Sequence, residues 1–545
     1  MINLARFAAV GCLIAIICLA SIREHTLLGA SATFLLLVAL ALPALVATRF
    51  LAATSIVLSV LLYLINFADL VKYEATRLHL SYGDLGIISQ FAIEADFSIF
   101  EQYGNVAKSV VLFLLIGVVT IAAVAWLEKR SPKPPTALGP LWALALLSLS
   151  LAAMILFMQS AYMGAVKSQI VQRMSSDRAP LRVSTFLAEI SEGYALAAQL
   201  ATDKATFPGT SSKRAAQPCG DCPDIIVVHL ESVYDPRFES AYADAPSFAT
   251  LFGSRMERWS SLLRVHNWGG PSVITEFEFL CSLRHELFGW AGVHPHTKVG
   301  PYISGCLGGD LKTLGYESTA LYTFSGSFSD VRKAFSNYGI ANFHDPADLS
   351  LPSDWSKLRD HLIFDRLRDR LAAPRTTPRF FWVSTNWNHG PHGTGRVTDR
   401  FDGPYDASKA DSKPLEDYIN RLNDTIAAVR SLEAHLANSP TPTLLILFGD
   451  HHPAFAKNFS PAAREEYRNI DYLTPFVALR NFKGPDIPVE TIVNVQDAAY
   501  YLSRLAGVPS LPNVGRIFEL KAKCGGDELA CPAPLKSEMR AIQLR

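Results

Sequence analysis

The chain carries little charge and no surplus of either sign: of 545 residues 18% are charged, 50 basic against 50 acidic. Nucleic-acid binding usually leaves a basic footprint, and none is present. No internal repeat and no low-complexity tract occurs, and low charge combined with 49% hydrophobic residues excludes a mainly disordered chain. There is a single Cys-x-x-Cys, Cys219-Gly-Asp-Cys222, with no second pair at zinc spacing. That argues against a redox motif or a structural zinc site. What the chain has in excess is hydrophobicity, and the place where it sits decides the class.

It sits at the front. Apolar runs fall at about 5–21, 28–47, 51–68, 107–127 and 138–162, each near the roughly 20 residues a spanning helix needs. A cleaved signal peptide does not fit the first run, because four more follow and no clear small-residue cleavage site appears. The expectation is a transmembrane domain of about five helices over 1–162, an interfacial and linking segment over 163–223, and a catalytic domain over 224–545. Charge sets the orientation. With the N-terminus inside, the cytoplasmic segments hold Arg6, Arg49, Lys129, Arg130 and Lys133, whereas the loop at about 69–106 carries Asp69, Glu74, Asp84, Glu94, Asp96 and Glu101. Basic residues favour the cytoplasmic side, so everything after about 163 is expected outside. Six cysteines lie in that outer part, Cys219, Cys222, Cys281, Cys306, Cys524 and Cys531. An even number in an oxidising space suggests disulfides. Nearest-neighbour pairing is one of the connectivities open to them.

From Asp224 onward short β-rich runs alternate with longer helical patterns. The expected strands are Ile225–Leu230, Ser261–Val265, Thr319–Thr323, Phe380–Thr385, Leu444–Phe448 and Pro475–Leu479, with helices around 413–437 and 496–506. Such alternation predicts an α/β domain with a mainly parallel sheet and helices on both faces. In such sheets ligands bind beyond the carboxyl ends of the strands. Three of the expected strands run into Glu231-Ser232, into Gly449-Asp450-His451-His452 and into Asn386-Trp387-Asn388-His389-Gly390-Pro391-His392. Glu231 has a plain alternative role capping a helix. Carboxylate oxygens with imidazole suit zinc or manganese. Gly269-Gly270-Pro271-Ser272 leads from a strand into a helical pattern, which places Ser272 at a helix N-terminus where free N–H groups favour anions. Its hydroxyl is either an N-cap or a nucleophile activated by a divalent cation. Thr275 is a less accessible substitute.

With these residues assembled, the chain resembles the membrane-anchored, sulfatase-like phosphotransferases of the alkaline phosphatase superfamily, the lipoteichoic acid synthases and periplasmic phosphoglycerol transferases. Ile-Ile-Val-Val-His-Leu-Glu-Ser resembles that family's first strand and metal glutamate. Gly-Pro-Ser-Val-Ile-Thr-Glu-Phe resembles the nucleophile segment, and Phe-Gly-Asp-His the second metal motif. The resemblance implies one divalent metal, Mn2+ or Zn2+, on Glu231, Ser272, Asp450 and His451. It makes Ser272 the nucleophile and His389 the acid and base. It puts Tyr322, Phe328, Arg332, His392 and His452 near the substrate. The implied reaction transfers phosphoglycerol from phosphatidylglycerol to a glycan hydroxyl, at a bacterial inner membrane with the catalytic domain in the periplasm. Two departures stand out: Ser272 replaces the usual threonine of lipoteichoic acid synthases, and Tyr322 replaces their histidine. A phosphoethanolamine transferase is the nearest alternative. A sulfatase with a formylglycine needs a Cys/Ser-x-Pro-x-Arg segment, and none is present. A hydrolase using water or a non-catalytic membrane sensor completes the alternatives.

Overall fold

The structure is a computed structural model that describes residues 2–22, 50–78, 104–130, 196–208 and 218–544 except 353, 457 and 458, with isolated positions at 33, 37, 38, 41, 80 and 84. Its contacts divide the chain into two compact units: Met1–Ile88 with Phe97–Tyr194, and Ser89–Asp96 with Ala195–Arg545.

In the first unit three long helices are described, α1 (Ile2–Ile22), α2 (Leu51–Thr76) and α3 (Gly104–Lys129). Their sequences are apolar with few breakers, which favours helix wherever backbone groups must be paired internally. Glu128 on α3 ties the three together. Its carboxylate accepts the N–H groups of Ala52 and Ala53 at 2.9 and 3.0 Å, and Arg6 Nε at 3.1 Å. Two donors that α2 cannot satisfy within itself are thereby paired. Counted over the residues whose side chains are described, no helix is long and apolar enough to cross a membrane. The run expected at 138–162 lies outside the described residues, as do all but four positions of the run at 28–47 and the segments 163–195 and 209–217.

The second unit is built on one eight-stranded sheet. The strands are β1 (Asp224–Leu230), β2 (Glu257–Arg264), β3 (Glu317–Leu321), β4 (Asn342–His344), β5 (Arg379–Ser384), β6 (Thr443–Gly449), β7 (Leu473–Arg480) and β8 (Ile492–Asn494), in the order β4-β3-β5-β1-β6-β7-β2-β8. Only β7 runs against its neighbours. All six expected strands are present, and the two not foreseen are three-residue edge strands. Central β1 and β6 are buried throughout and mostly apolar because both of their faces are covered. On one face Ile225 and Val227 join a core with Phe277, Phe279, Leu311, Phe335 and Leu502; on the other Ile226 and Val228 join Phe364, Ile419 and Leu432. Helices on both faces follow from that alternation.

The six outer cysteines are paired as neighbours, Cys219–Cys222, Cys281–Cys306 and Cys524–Cys531. Among the remaining details one glycine positions the site. A Cβ on Gly449, the last residue of β6, would lie 1.8 Å from the Val233 carbonyl oxygen. Gly449→Ala is therefore expected to cost about 3 kcal/mol or to prevent accumulation of folded protein. A thermal midpoint within a degree or two of wild type would show that the strand end yields.

Candidate active site

The register of the three central strands assembles the site. β1 and β6 pair with Leu230 opposite Gly449, and β1 and β5 with His229 opposite Ser384. Residues just beyond these parallel strands must then share one sheet edge. Glu231 comes off β1, its N–H donating to Thr385 Oγ1 at 3.0 Å. Asp450 comes off β6, and its Oδ1 accepts the N–H groups of Ser232 at 2.7 Å and His451 at 2.9 Å. Ser232 has a positive φ of 55°, a conformation that costs energy in a non-glycine residue and turns the chain sharply after Glu231.

The helix α4 (Ser272–Cys281) brings the hydroxyl. Gly269 and Gly270 have φ of 67° and 106°, values that glycine tolerates without strain. Pro271 then occupies the cap position and makes no side-chain cap bond. The hydroxyl of Ser272, the first helical residue, is thus not used as a cap. It lies 3.3 Å from Glu231 Oε2 and 3.4 Å from His451 Nε2. Thr275, the other hydroxyl in the first turn of α4, is wholly buried and lies 2.6 Å from Asn267 Oδ1 and 2.8 Å from the Asp450 carbonyl oxygen.

Four side chains from three segments therefore converge. His451 Nε2 is 3.2 Å from Asp450 Oδ2 and 3.7 Å from Glu231 Oε1, while its Nδ1 donates to the His452 carbonyl at 2.9 Å. That bond puts the ring proton on Nδ1 and turns the Nε2 lone pair inward. Two ligand atoms each about 2.1 Å from one cation, at 90–110° to each other, lie about 3.0–3.4 Å apart. Most of the separations here fall in that range. The electrostatics agree. Glu231 is pushed up to about 7 by burial and by the Asp450 charge beside it. Burial works the same way on Asp450, but His451 and His229 outweigh it and hold that carboxyl below its usual range. Two carboxylates this deep, with an imidazole nitrogen beside them, are a donor set that fits a divalent cation.

The sulfatase family model matches residues 223–508, more than half of the chain. The chain belongs to the sulfatase family. Curated relatives include a protein of Haemophilus influenzae, 27% identical over 298 residues, 52% of this chain and 54% of that protein. The capsular polysaccharide biosynthesis protein RkpI of Rhizobium meliloti is 26% identical over 255 residues, covering 45% of each chain. A putative cyclic β-1,2-glucan modification protein from the same organism is 22% identical over 288 residues, 50% of this chain and 44% of that one. The match thus spans about half the length of these relatives. Among solved structures, the phosphoethanolamine transferase EptA of Neisseria meningitidis aligns over 91% of this chain and 95% of its own at 13% identity, with a TM-score of 0.47. The phosphoglycerol transferase GacH of Streptococcus pyogenes aligns over 65% and 92% at 15% identity, with a TM-score of 0.42.

The other residues expected in this sulfatase-family site are placed differently. His389 lies on the loop after β5, its Nδ1 donating to the Gly390 carbonyl at 2.6 Å and its ring edge-on to Phe324 at 5.3 Å. Phe328 stacks on Phe324 with ring centres 6.3 Å apart. Arg332 is half exposed and pairs with Asp345 and Asp348, both at 2.8 Å. His392 is buried against Tyr418 and Phe455 with Nε2 donating to the Asn388 carbonyl at 3.0 Å, and burial depresses its pKa. His452 turns into the core, stacks on Tyr234 and donates to the Leu473 carbonyl at 2.6 Å; burial lowers its pKa to about 3. These bonds fix the orientation of both rings. Tyr322 is buried too, with its hydroxyl donating to Glu276 at 3.0 Å.

Two further residues lie against the Glu231–Asp450–His451 group, His229, 3.0 Å from Asp450 Oδ2, and Glu276, 3.2 Å from His229 Nδ1. The sequence carries a signal for the first: strand side chains alternate, so His229 shares a face with Glu231 two residues on. A histidine in an otherwise apolar central strand needs partners.

Further along α4, Glu278 holds His266 Nδ1 at 2.7 Å and His285 Nδ1 at 2.8 Å, and next to it Arg284 donates its N–H to Glu528 Oε1 at 2.6 Å. Glu528 is wholly buried, its Oε2 has no hydrogen-bond partner, and burial pushes its pKa up to about 8. A carboxyl raised this way holds its proton in the folded state. It gives up stability as pH rises from about 4.5, its unfolded value, through about 8, by an amount on the order of 3–5 kcal/mol. Denaturant midpoints of wild type and Glu528→Gln between pH 5 and 8.5 should therefore diverge, the variant losing less. Parallel pH profiles would refute the assignment.

Proposed function

We propose that this protein is a metal-dependent phosphotransferase which moves phosphoglycerol from phosphatidylglycerol to an envelope or periplasmic glycan. The observation that carries this reading is the Ser272 hydroxyl, at a helix N-terminus and within 3.4 Å of both Glu231 and His451. Glu231, Asp450, His451 and Ser272 hold the cation, Mn2+ or Zn2+. When bound, that cation supplies Lewis acidity and lowers the pKa of the hydroxyl. The names of two relatives, concerned with capsular polysaccharide and cyclic glucan, support a glycan acceptor.

The chain's own residues account for the steps. Ser272 gives its proton to bulk water before the lipid is engaged, its oxygen attacks phosphorus in line, and the bond from phosphorus to the diacylglycerol oxygen breaks. The N–H groups at the start of α4 favour the charge on the phosphoryl oxygens. Protonated His389 gives its proton to the departing diacylglycerol oxygen. The neutral ring, its remaining proton held on Nδ1 by the Gly390 carbonyl, then takes one from the acceptor hydroxyl at Nε2. The acceptor oxygen attacks phosphorus, the bond from phosphorus to Ser272 Oγ breaks, and the serine oxygen leaves deprotonated, ready to attack the next lipid. Phe324 and Phe328 offer apolar surface beside His389. The front unit is read as five membrane spans with the sulfatase-family domain on the periplasmic side. Tethering raises the effective concentration of a substrate that stays in the bilayer.

The test is intact-mass analysis of detergent-purified protein incubated with phosphatidylglycerol or phosphatidylethanolamine. A phosphoglycerol adduct from the first lipid alone, mapped to Ser272, is expected. An adduct from phosphatidylethanolamine alone keeps the chemistry and overturns the headgroup. No adduct with metal bound points to a hydrolase, or to a sensor.

A further inference from the structure

One group at the site has no part in that mechanism. His229 is wholly enclosed between β1 and α4, stacked on Phe448 at 5.5 Å. Its Nδ1 is 3.2 Å from Glu276 Oε1. Glu276, one helical turn after Ser272, is itself fully buried, and every contact it makes is with a donor: the Tyr322 hydroxyl at 3.0 Å and His296 Nε2 at 3.1 Å complete the set. An ionised carboxylate only accepts, so Nδ1 of His229 carries a proton, and Nε2 is the nitrogen left to face the metal-site carboxylate. That nitrogen lies 3.0 Å from Asp450 Oδ2. The two atoms are nevertheless misaligned for a hydrogen bond, and both are buried with no hydrogen-bond partner at all. Orphaned polar atoms at this depth cost free energy. His229, Glu231 and Asp450 each offer a ligand atom within 4.8 Å of the others.

We propose that His229 is a further protein ligand of the cation at the Glu231–Asp450 site, with Glu276 as the carboxylate that fixes its ring. The inference rests on the reading that this site binds a divalent metal. It assigns both orphaned atoms to one ion, and it explains why a glutamate is buried behind a histidine. A metal-ligating histidine commonly donates its other N–H to a carboxylate, which sets the tautomer and raises basicity. The cation is thereby held by two imidazoles, His229 on the strand side and His451 on the loop side. Glu276 lies on the helix that carries Ser272, so α4 orients a ligand and the nucleophile together.

The test uses the full chain in detergent, stripped with a chelator. Zn2+ affinity is measured by competition with a chromophoric chelator, and nitrogen couplings by pulsed EPR on the Mn2+-loaded protein. Wild type is expected to bind one ion with the couplings of two imidazoles. His229→Gln should lose one coupling and weaken Zn2+ binding about 100-fold, and Glu276→Gln should weaken it about 10-fold with both couplings kept. Glu231→Gln, which removes a carboxylate ligand, serves as the control for the site. If His229→Gln folds poorly, Glu276→Gln still decides, since it leaves both imidazoles in place. Unchanged affinity and couplings in His229→Gln and Glu276→Gln, with binding lost in Glu231→Gln, would overturn the inference and spare the metal reading. No binding by wild type would overturn both.

Discussion

Ser272→Ala is expected to abolish the covalent adduct and lower transfer about 10^4- to 10^6-fold, the size of effect that follows loss of a nucleophile. Its effect on stability should be small. The helix is capped by Pro271 without a side-chain bond, and the hydroxyl faces Glu231 and His451 instead. Alanine is a good residue at the first turn of a helix. The variant therefore separates chemistry from folding: an unchanged thermal midpoint with no turnover and no adduct. Ser272→Thr keeps a hydroxyl at the same place and should retain measurable activity. Full activity in Ser272→Ala would move the reaction elsewhere, and the buried Thr275 offers no substitute.

That hydroxyl was legible in advance because glycine and proline punctuate the chain so strongly. Gly-Gly-Pro before a helical pattern has few backbone solutions, and the residue after it must stand at the helix start. The strands were legible for a similar reason. Runs such as Ile225–Val228 and Leu444–Phe448 are apolar without interruption, and a central strand covered on both faces is where such runs belong. Glu231 and Asp450 stood out as the first charges after them. β4 and β8 did not, since three residues at a sheet edge make too short a pattern to read. His392 and His452 show the limit from the other side. Each follows a site residue closely in sequence, yet both turn inward to carbonyl groups. Proximity along the chain says nothing about which way a loop residue points. Glu276 was hidden for the same physical reason, because its role depends on partners 46 and 47 residues away.

The second large effect concerns the two carboxylates, which should fail alike in function and differ in stability. With Zn2+ or Mn2+ at 100 times its dissociation constant, wild type should gain about 2.7 kcal/mol and melt several degrees higher. Glu231→Gln and Asp450→Asn are both expected to lose that gain and to lose turnover. In chelator, however, Glu231→Gln should melt no lower than wild type. Its carboxylate is buried beside Asp450, which makes its charge unfavourable, and glutamine oxygen still accepts the Ser232 hydroxyl that now donates at 2.7 Å. Asp450→Asn should melt lower. The Asp450 charge offsets its burial through His451 and His229, and its Oδ1 accepts two backbone N–H groups that hold the turn after β1 and the start of the next loop. Removing that charge weakens bonds which are strong because the acceptor is ionised. Differential scanning fluorimetry with and without metal reads all of this in one experiment. If Glu231→Gln kept the metal-induced shift, the cation would not be held at this strand end. Were it instead to melt far below wild type in chelator, Glu231 would be part of the framework rather than a group whose burial only a bound cation makes worthwhile.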